Sequence, residues 1–408
     1  MSERSLTGLA AAIDERLPTP ESFDSGFRDP RTAARVGVWL GLSFGVAFVT
    51  GVFSHVAQGR GADVPLPTGP AWLYLATQGV HVAAGTAAVP LLLVKLWSVY
   101  PRLFERPPRR GRTLVLHLLE RGSIALLVGA AFFQLVTGLA NSAQWYPWSF
   151  DFISAHYALA WVAVGSVLLH VAVKLPVIRR ALAEPVDDER GAQAGGGRPA
   201  DREGATTPAG GLTRRALLRT TWLAAGVTVL ATTAVGIPGL RRVAVLAVRS
   251  GEGPQGVPVN RSAAAAGVAE ILTDPGWRLR VIGPAGTVDL TLDELTGMAG
   301  RTADLPIACV EGWSAGGTWG GVPVRDVVAL VGGSEADDVV FRSLQERGAW
   351  RESRLPAEFA RHPDSLLALT LSGEPLHPDH GYPCRLIAPA RPGVTQTKWL
   401  REMEVVPA

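Results

Sequence analysis

Apolar residues gather into four long runs in the first half of the chain, at roughly 35–57, 72–95, 113–139 and 153–175. Each matches or exceeds the ~20 helical residues that a bilayer crossing needs. One such run could be a buried globular helix; four in series with short loops predict a helical membrane bundle. The first is no cleavable signal peptide, because it is long, begins late and is followed by further spans. Residues 183–212 break the pattern with Gly195, Gly196 and Gly197 and the acids Asp187, Asp188 and Glu189, and read as a linker. A fifth apolar run at 221–240 follows Arg214 and Arg215. From about 241 the texture shortens: 277–282 alternates, 283–286 is a turn, and 287–292 resumes as strand. A short helix is expected at 293–298, and further strands at 366–371, 384–388 and 402–406. The expected organisation is a tail at 1–34, a four-helix membrane domain at 35–182, a linker at 183–212, a fifth anchor helix at 213–240 and an α+β domain at 241–408. The last part, about 165 residues, is long enough to bury a real core.

Composition sharpens this picture. Of 408 residues, 47% are hydrophobic and only 18% charged, against about 25% charged in ordinary globular chains. Disorder and nucleic-acid binding are both disfavoured, and a net charge of +3 steers nothing as a global field. Its distribution carries more. Residues 95–112 hold Lys95, Arg102, Arg106, Arg109, Arg110 and Arg112 against the single acid Glu105. Arg28, Arg31 and Arg35 precede the first span, and Lys174, Arg179 and Arg180 end the fourth. The loop at 140–152 has only Asp151 among charged residues and offers Trp145, Tyr146 and Trp148. The positive-inside rule therefore puts both ends of the bundle in the cytoplasm. A fifth crossing then carries residues 241–408 outside, as expected of a multi-pass protein in a bacterial-type plasma membrane. Arg214-Arg215 before an apolar run also resembles an internal twin-arginine export signal.

Five of the eight histidines lie in the first 182 residues, where charge is scarce. His156 and His170 are fourteen residues apart, close to four helical turns, so they share one face about 21 Å apart. His117 enters from the cytoplasmic side at a depth matching His170, while His81 and His55 lie in the outer halves of their spans. Ionisable side chains inside a bilayer are costly and mark functional sites. Two stacked haems b would account for the pattern, one held by His156 with His81 or His55, the other by His170 with His117. No CxxCH for covalent attachment occurs. Helix count and histidine spacing resemble the diheme b-type cytochrome subunits of bacterial formate dehydrogenases and hydrogenases. Histidines that only bond across helices or face headgroups are the plainer reading.

Two cysteines, Cys309 and Cys384, make neither a disulfide framework nor a thiolate zinc site. Cys309 sits in Leu305-Pro306-Ile307-Ala308-Cys309-Val310-Glu311-Gly312-Trp313-Ser314, followed by Thr318-Trp319-Gly320-Gly321-Val322-Pro323. With Asn260-Arg261-Ser262 before it, and Ser372-Gly373-Glu374-Pro375-Leu376, His380-Gly381-Tyr382-Pro383-Cys384-Arg385 and Lys398-Trp399-Leu400 after it, this segment resembles the sulfite oxidase family of molybdenum enzymes. The resemblance implies a Mo-molybdopterin cofactor with Cys309 as the metal's thiolate ligand. It implies a polar contact near the metal from Asn260, phosphate contacts from His380, Arg385 and Lys398, and a pocket lined around Trp313, Ser314 and Trp319. A soft thiolate suits a metal that must cycle electrons, Arg385 offers a bidentate fork and Lys398 a point charge. Arg261 is a candidate substrate contact, Arg342 and Arg391 remain unassigned cations, and Glu311 is expected to order a loop. Cys384 reads as core.

The sulfite-oxidising members continue into a dimerisation domain and an active-site tyrosine that this sequence does not show after Trp399. The short form is more similar to the catalytic subunit of the bacterial methionine-sulfoxide reductase branch. The expectation is a molybdenum-dependent oxidoreductase that couples oxo-transfer chemistry on a small-molecule substrate outside the membrane to haem b. Quinone, quinol or another redox protein would complete the circuit, and no GxGxxG supports an NAD route. Two rivals are a haem-free anchored enzyme served by an external redox partner, and a redox-inactive binding or sensor module.

Overall fold

The computed structural model describes Thr19, Phe23 and residues 28–60, 64–108, 111–186, 213–233, 240–247 and 253–408. Most of the 1–34 tail, the linker beyond 186, Arg109, Arg110 and the 234–239 part of the fifth run lie outside the described residues.

Among the described residues five long helices form: α1 (Pro30–Ala57), α2 (Leu73–Val99), α3 (Arg112–Ser142), α4 (Phe152–Ala183) and α5 (Arg214–Thr233). Hydropathy marks the part of a helix that seeks apolar surroundings, whereas caps set where the helix begins. Helix α1 accordingly starts before its apolar run, with Pro30 in the first position, where a missing N–H costs nothing. Asp29 Oδ1 accepts from the Arg31 amide at 2.7 Å. Asp151 caps α4 by accepting from the Ser154 amide at 3.1 Å. Among the described residues, α1 to α4 are the helices long and apolar enough to cross a membrane. Helix α5 covers Arg214–Thr233 of the expected 213–240 span; Arg214, Arg215 and Arg219 occupy its start, and Thr220, Thr221 and Thr228 turn their hydroxyls back onto carbonyls four residues earlier.

The chain divides into two compact units. The first comprises Met1–Val46, Ala84–Gly138 and Phe150–Val229. Val36, Leu91 and Leu218 make a small core there, and the rings of Trp39 and Trp222 meet edge-on at 4.9 Å. Lys174 pairs with Glu120 at 2.5 Å, tying α3 to α4. Leu118, Leu168 and Leu223 remain exposed, an outward apolar surface that suits helices solvated by lipid.

The second unit comprises Ala47–Ala83, Leu139–Ser149 and Leu230–Ala408. Among its described residues ten strands build two sheets: β1 (Arg278–Gly283), β2 (Gly286–Thr291), β3 (Arg301–Ala308), β4 (Ser314–Pro323) and β5 (Asp338–Ser343) come first. They are followed by β6 (Glu352–Leu355), β7 (Leu366–Leu371), β8 (Glu374–Pro375), β9 (Arg385–Ile387) and β10 (Leu400–Val406). One sheet has the order β2-β1-β10-β5-β6, with β10 parallel to β1; the other runs β3-β4-β7-β8, with β9 also on β7. Among the described residues of 241–408 the helices are short, the longest being Leu292–Met298 and Val324–Leu330, so the expected α+β class is realised with sheet dominant. Leu279, Phe341, Leu367, Leu400 and Met403 are wholly buried at its centre.

Strand β4 is not among the expected strands, because Gly316, Gly317, Gly320 and Gly321 weaken strand propensity. Their smallness is what the pairing needs: a Cβ on Gly321 would stand 2.0 Å from the Leu367 carbonyl oxygen.

Candidate functional site

The turn between β3 and β4 presents Cys309. Its amide donates to the Trp313 carbonyl at 2.9 Å, and the Gly312 amide donates to the Cys309 carbonyl at 3.0 Å. Gly312 takes φ of +93°, a conformation that favours glycine. Glu311 orders this loop as expected: Oε2 accepts from the Trp313 indole at 2.9 Å, and Oε1 accepts from Gln144. Burial pushes the Cys309 thiol well above its ordinary pKa, and the nearby Glu311 carboxylate adds to the rise.

Cys309 opens onto a cavity of roughly 740 Å³, mouth included, that also takes in Asn260, Arg261, Trp313, His380, Arg385 and Lys398. Segments distant in sequence thus converge on one space. The Lys398 ammonium spends its donors on the Arg261 carbonyl (2.6 Å), the Asp379 carbonyl (3.0 Å) and the Asn260 side-chain oxygen (3.2 Å). Arg385 donates to the His380 and Gln396 carbonyls at 2.9 and 3.2 Å. His380 Nε2 donates to the Pro254 carbonyl at 2.6 Å. Gly381, at φ +108°, lets the chain turn tightly between them; a Cβ there would crowd Arg385 and Lys398 at 3.0 and 3.1 Å.

Electrostatically this is a desolvated cationic cradle. Burial lowers His380 to about 4, Arg385 to about 9 and Lys398 to about 7, and Arg385 pushes Lys398 further down. Among the described residues, neither Arg385 nor Lys398 has a carboxylate within ion-pairing distance. An anion placed here would relieve the repulsion.

Gln396 carries no signal in the sequence beyond standing two residues before Lys398. It is buried and lines the cavity. Its Nε2 donates to the Ala388 and Arg391 carbonyls, which fixes the amide's orientation and leaves Oε1 buried with no protein donor among the described residues. That acceptor fits the N–H groups of a pterin, as the cradle fits a phosphate. Trp350 and Gln345 also line the cavity, and the Arg60 guanidinium lies over the Trp350 ring at 5.3 Å.

Two expected roles shift. Ser314 begins β4, pairs with Ala308 and does not line the cavity. Trp319 is not a wall either. It is fully buried behind the cavity, its indole donating to the Leu305 carbonyl at 3.1 Å, with the Arg385 guanidinium 5.2 Å over its ring. A strand alternates its faces, which turns Trp319 inward. Arg342 is spent on Glu352, Glu402 and Glu404, and Arg391 is buried against Phe359. Cys384 is wholly buried in the hydrophobic core.

The helical histidines divide between the units. In the second, His81 Nδ1 donates to the Ala47 carbonyl at 2.8 Å, with the Thr50 hydroxyl at 3.3 Å; His55 stands near the end of α1. In the first, His156 Nδ1 lies 2.9 Å from the Thr137 hydroxyl. That hydroxyl donates to the Phe133 carbonyl at 2.5 Å, which makes His156 the donor. A proton on Nδ1 puts the lone pair on Nε2 in both rings, the tautomer a metal-ligating imidazole takes when a neighbouring acceptor orients it. His117 and His170 lie one turn from Glu120 and Lys174, the ion pair at the other end of the α3–α4 contact.

Residues 265–408 match the sequence profile of the oxidoreductase molybdopterin binding domain. The C-terminal part of the chain is a molybdopterin-binding oxidoreductase domain of sulfite oxidase-like type. A protein-methionine-sulfoxide reductase catalytic subunit of Xanthomonas axonopodis is 33% identical over 145 residues, covering 32% of this chain and 45% of the relative. Sulfite oxidase of Gallus gallus is 34% identical over 160 residues, 32% of this chain and 35% of the relative. An uncharacterized oxidoreductase of Bacillus subtilis is 32% identical over 133 residues, 31% of this chain and 64% of the relative. The chain thus spans less than two thirds of the length of each of these relatives.

Proposed function

We propose that this chain is a membrane-bound molybdenum–pterin oxidoreductase joined to its own haem b relay. The observation that carries the reading is the convergence of Cys309 with a cationic, hydrogen-bonding cradle in one cavity that Gln396, whose side-chain oxygen is orphaned, also lines. Bound there, the metal–pterin group would supply a two-electron, oxo-transfer type of chemistry. Cys309 would hold the metal as a thiolate. Lys398, Arg385 and His380 would hold the phosphate, and Gln396 would accept from the pterin edge. Asn260 would stand beside the metal, positioned by Lys398, and Arg261 and Trp350 would meet a small-molecule substrate at the mouth.

Helices α1 to α4 would anchor the protein and hold haem b, which supplies one-electron transfer, with His81 and His156 oriented by their Nδ1 bonds and His117 with His170 as the inner pair. His55 stays an alternative partner on the outer side. Quinol, quinone or another redox protein would exchange electrons at the cytoplasmic side. The grouping of the 140–149 loop region with the C-terminal domain in one unit supports an extracytoplasmic domain. Helix α5, with its Arg214-Arg215 start, would be the anchor that carries the domain across, by a twin-arginine route into a plasma membrane.

Detergent-purified full-length protein should contain molybdenum and pterin, together with about two haems b seen as a dithionite-reduced minus air-oxidised absorption spectrum. Cys309→Ser should lose the metal while keeping the haem bands. Wild-type protein that carries no molybdenum after metal-replete expression would overturn the reading. Molybdenum without haem would reduce the bundle to an anchor.

A further inference from the structure

Within the second unit, the Cys309 loop is gripped from outside its own sheet. The Val310 carbonyl accepts two side-chain amides, Gln78 Nε2 and Asn141 Nδ2, each at 3.0 Å. Gln78 lies on α2 and Asn141 on the last turn of α3. Both are buried, at 5% and 9% exposure, and both amides are held in one orientation by their other ends. Gln78 Oε1 accepts from the Ser54 hydroxyl at 3.1 Å, and Asn141 Oδ1 accepts from the Tyr146 hydroxyl at 2.8 Å. Flipping either amide would set oxygen against oxygen, so the donors must face Val310.

A second contact falls on the same loop. Val82, one turn beyond Gln78 on the same face of α2, packs so closely on Gly312 that a Cβ there would stand 2.9 Å from its methyl group. Gln144 reaches Glu311. Residues 310, 311 and 312 are therefore each held by a helix-end segment, while Cys309 and Trp313 on either side face the cavity. One donor would satisfy a buried carbonyl; two, from separate helices, fix where it points.

We infer that Gln78 and Asn141 are positioning residues that set the orientation of the Cys309 sulfur toward its metal, so that the site of this chain is incomplete without the helix ends. The inference rests on the reading of Cys309 as the molybdenum ligand. A rigid layer of contacts around a ligand loop tunes a metal without touching it.

The test uses the full-length protein in detergent. Gln78→Glu and Asn141→Asp keep shape but delete the donors; Gln78→Met and Asn141→Leu delete them without adding charge. Each pair is combined and measured for molybdenum and pterin content, for the EPR g-values of the metal's paramagnetic state, and for kcat and KM with a sulfoxide or another oxo-group substrate that the wild type turns over. The expected result is metal and pterin at wild-type levels, displaced g-values, kcat lowered about ten-fold or more and KM within about two-fold. Single variants should fall between. Where the acidic pair loads poorly, the neutral pair decides. A double variant of either kind that loads fully, with an EPR spectrum superimposable on wild type and unchanged kcat, overturns the inference. Absence of the metal signal from wild type, or its persistence in Cys309→Ser, sinks the underlying molybdenum reading instead.

Discussion

The Lys398 ammonium reaches the Asn260 side-chain oxygen at 3.2 Å, joining segments 138 residues apart. Two further carbonyl acceptors, at Arg261 and Asp379, complete its coordination. The cation therefore organises the front of the cavity before any anion arrives, and it also bears the desolvation that an anion would relieve.

Lys398→Met should take the ammonium donor from the part-buried Arg261 and Asp379 carbonyls, while Asn260 Oδ1 keeps the Arg261 amide at 2.9 Å, and it removes the point charge from the cradle. A carbonyl left without a donor costs at most about 1–3 kcal/mol when fully buried, and deleting a desolvated charge offsets part of that. Pterin recovered per chain should fall at least about ten-fold, since charge-assisted contacts to phosphate are the strong ones. Fluorescence of the oxidised, released pterin measures this, and wild-type recovery would refute the assignment.

Cofactor-free protein should lose stability as the pH falls. His380 is lowered to about 4, against about 6.5 in an unfolded chain. Below the unfolded value the unfolded state binds a proton that the native state refuses, so stability drops between about 6.5 and 4. After allowance for partial solvent screening the loss is about 1–2 kcal/mol. Urea unfolding at several pH values should show this slope in wild type and a shallower one in His380→Gln.

Haem content should follow single histidines. His156→Leu or His170→Leu should each lower about two haems b per chain to about one, because a haem with one axial imidazole removed is bound weakly. His55→Leu should leave the count unchanged. Equal losses at all three positions would contradict the pairing of His156 with His81.

Gly321 and Gly297 separate a close approach from an ordinary glycine. Gly321→Ala would drive a Cβ to 2.0 Å from the Leu367 carbonyl oxygen and 2.9 Å from the Ala368 Cα, and should cost more than ~2 kcal/mol. Gly297 lies in the Leu292–Met298 helix, where an added Cβ would meet nothing within 4 Å, so Gly297→Ala should stabilise by about 0.5–1 kcal/mol. Chemical denaturation of the two variants decides.

Features set by local chemistry are legible along the chain alone. Hydropathy locates α1 to α4 to within a few residues at most ends, because lipid solvation acts on composition along a single helix. Alternation locates β1, whose one face is buried, so that a one-residue slip would expose it; the turn at 283–286 locates β2, and β7 is an apolar run buried on both faces. The neighbours of Cys309 point to its chemistry, and His380, Arg385 and Lys398 stand out in flanking motifs as candidate hydrogen-bond donors to an anion.

Which way side chains point, and what they meet, came from the folded arrangement. It turns Trp319 away from the cavity and Gln396 into it, since strand parity and turn geometry are settled by pairing partners far away in sequence. It makes a strand of the glycine-rich β4, where backbone approach from Leu367 outweighs intrinsic propensity. It brings Gln78 and Asn141 onto Val310, a contact with no local signal, because the two amides come from chain segments 232 and 169 residues away from it. Motifs record the chemistry a residue can do; long-range packing decides which residues share the space in which it is done.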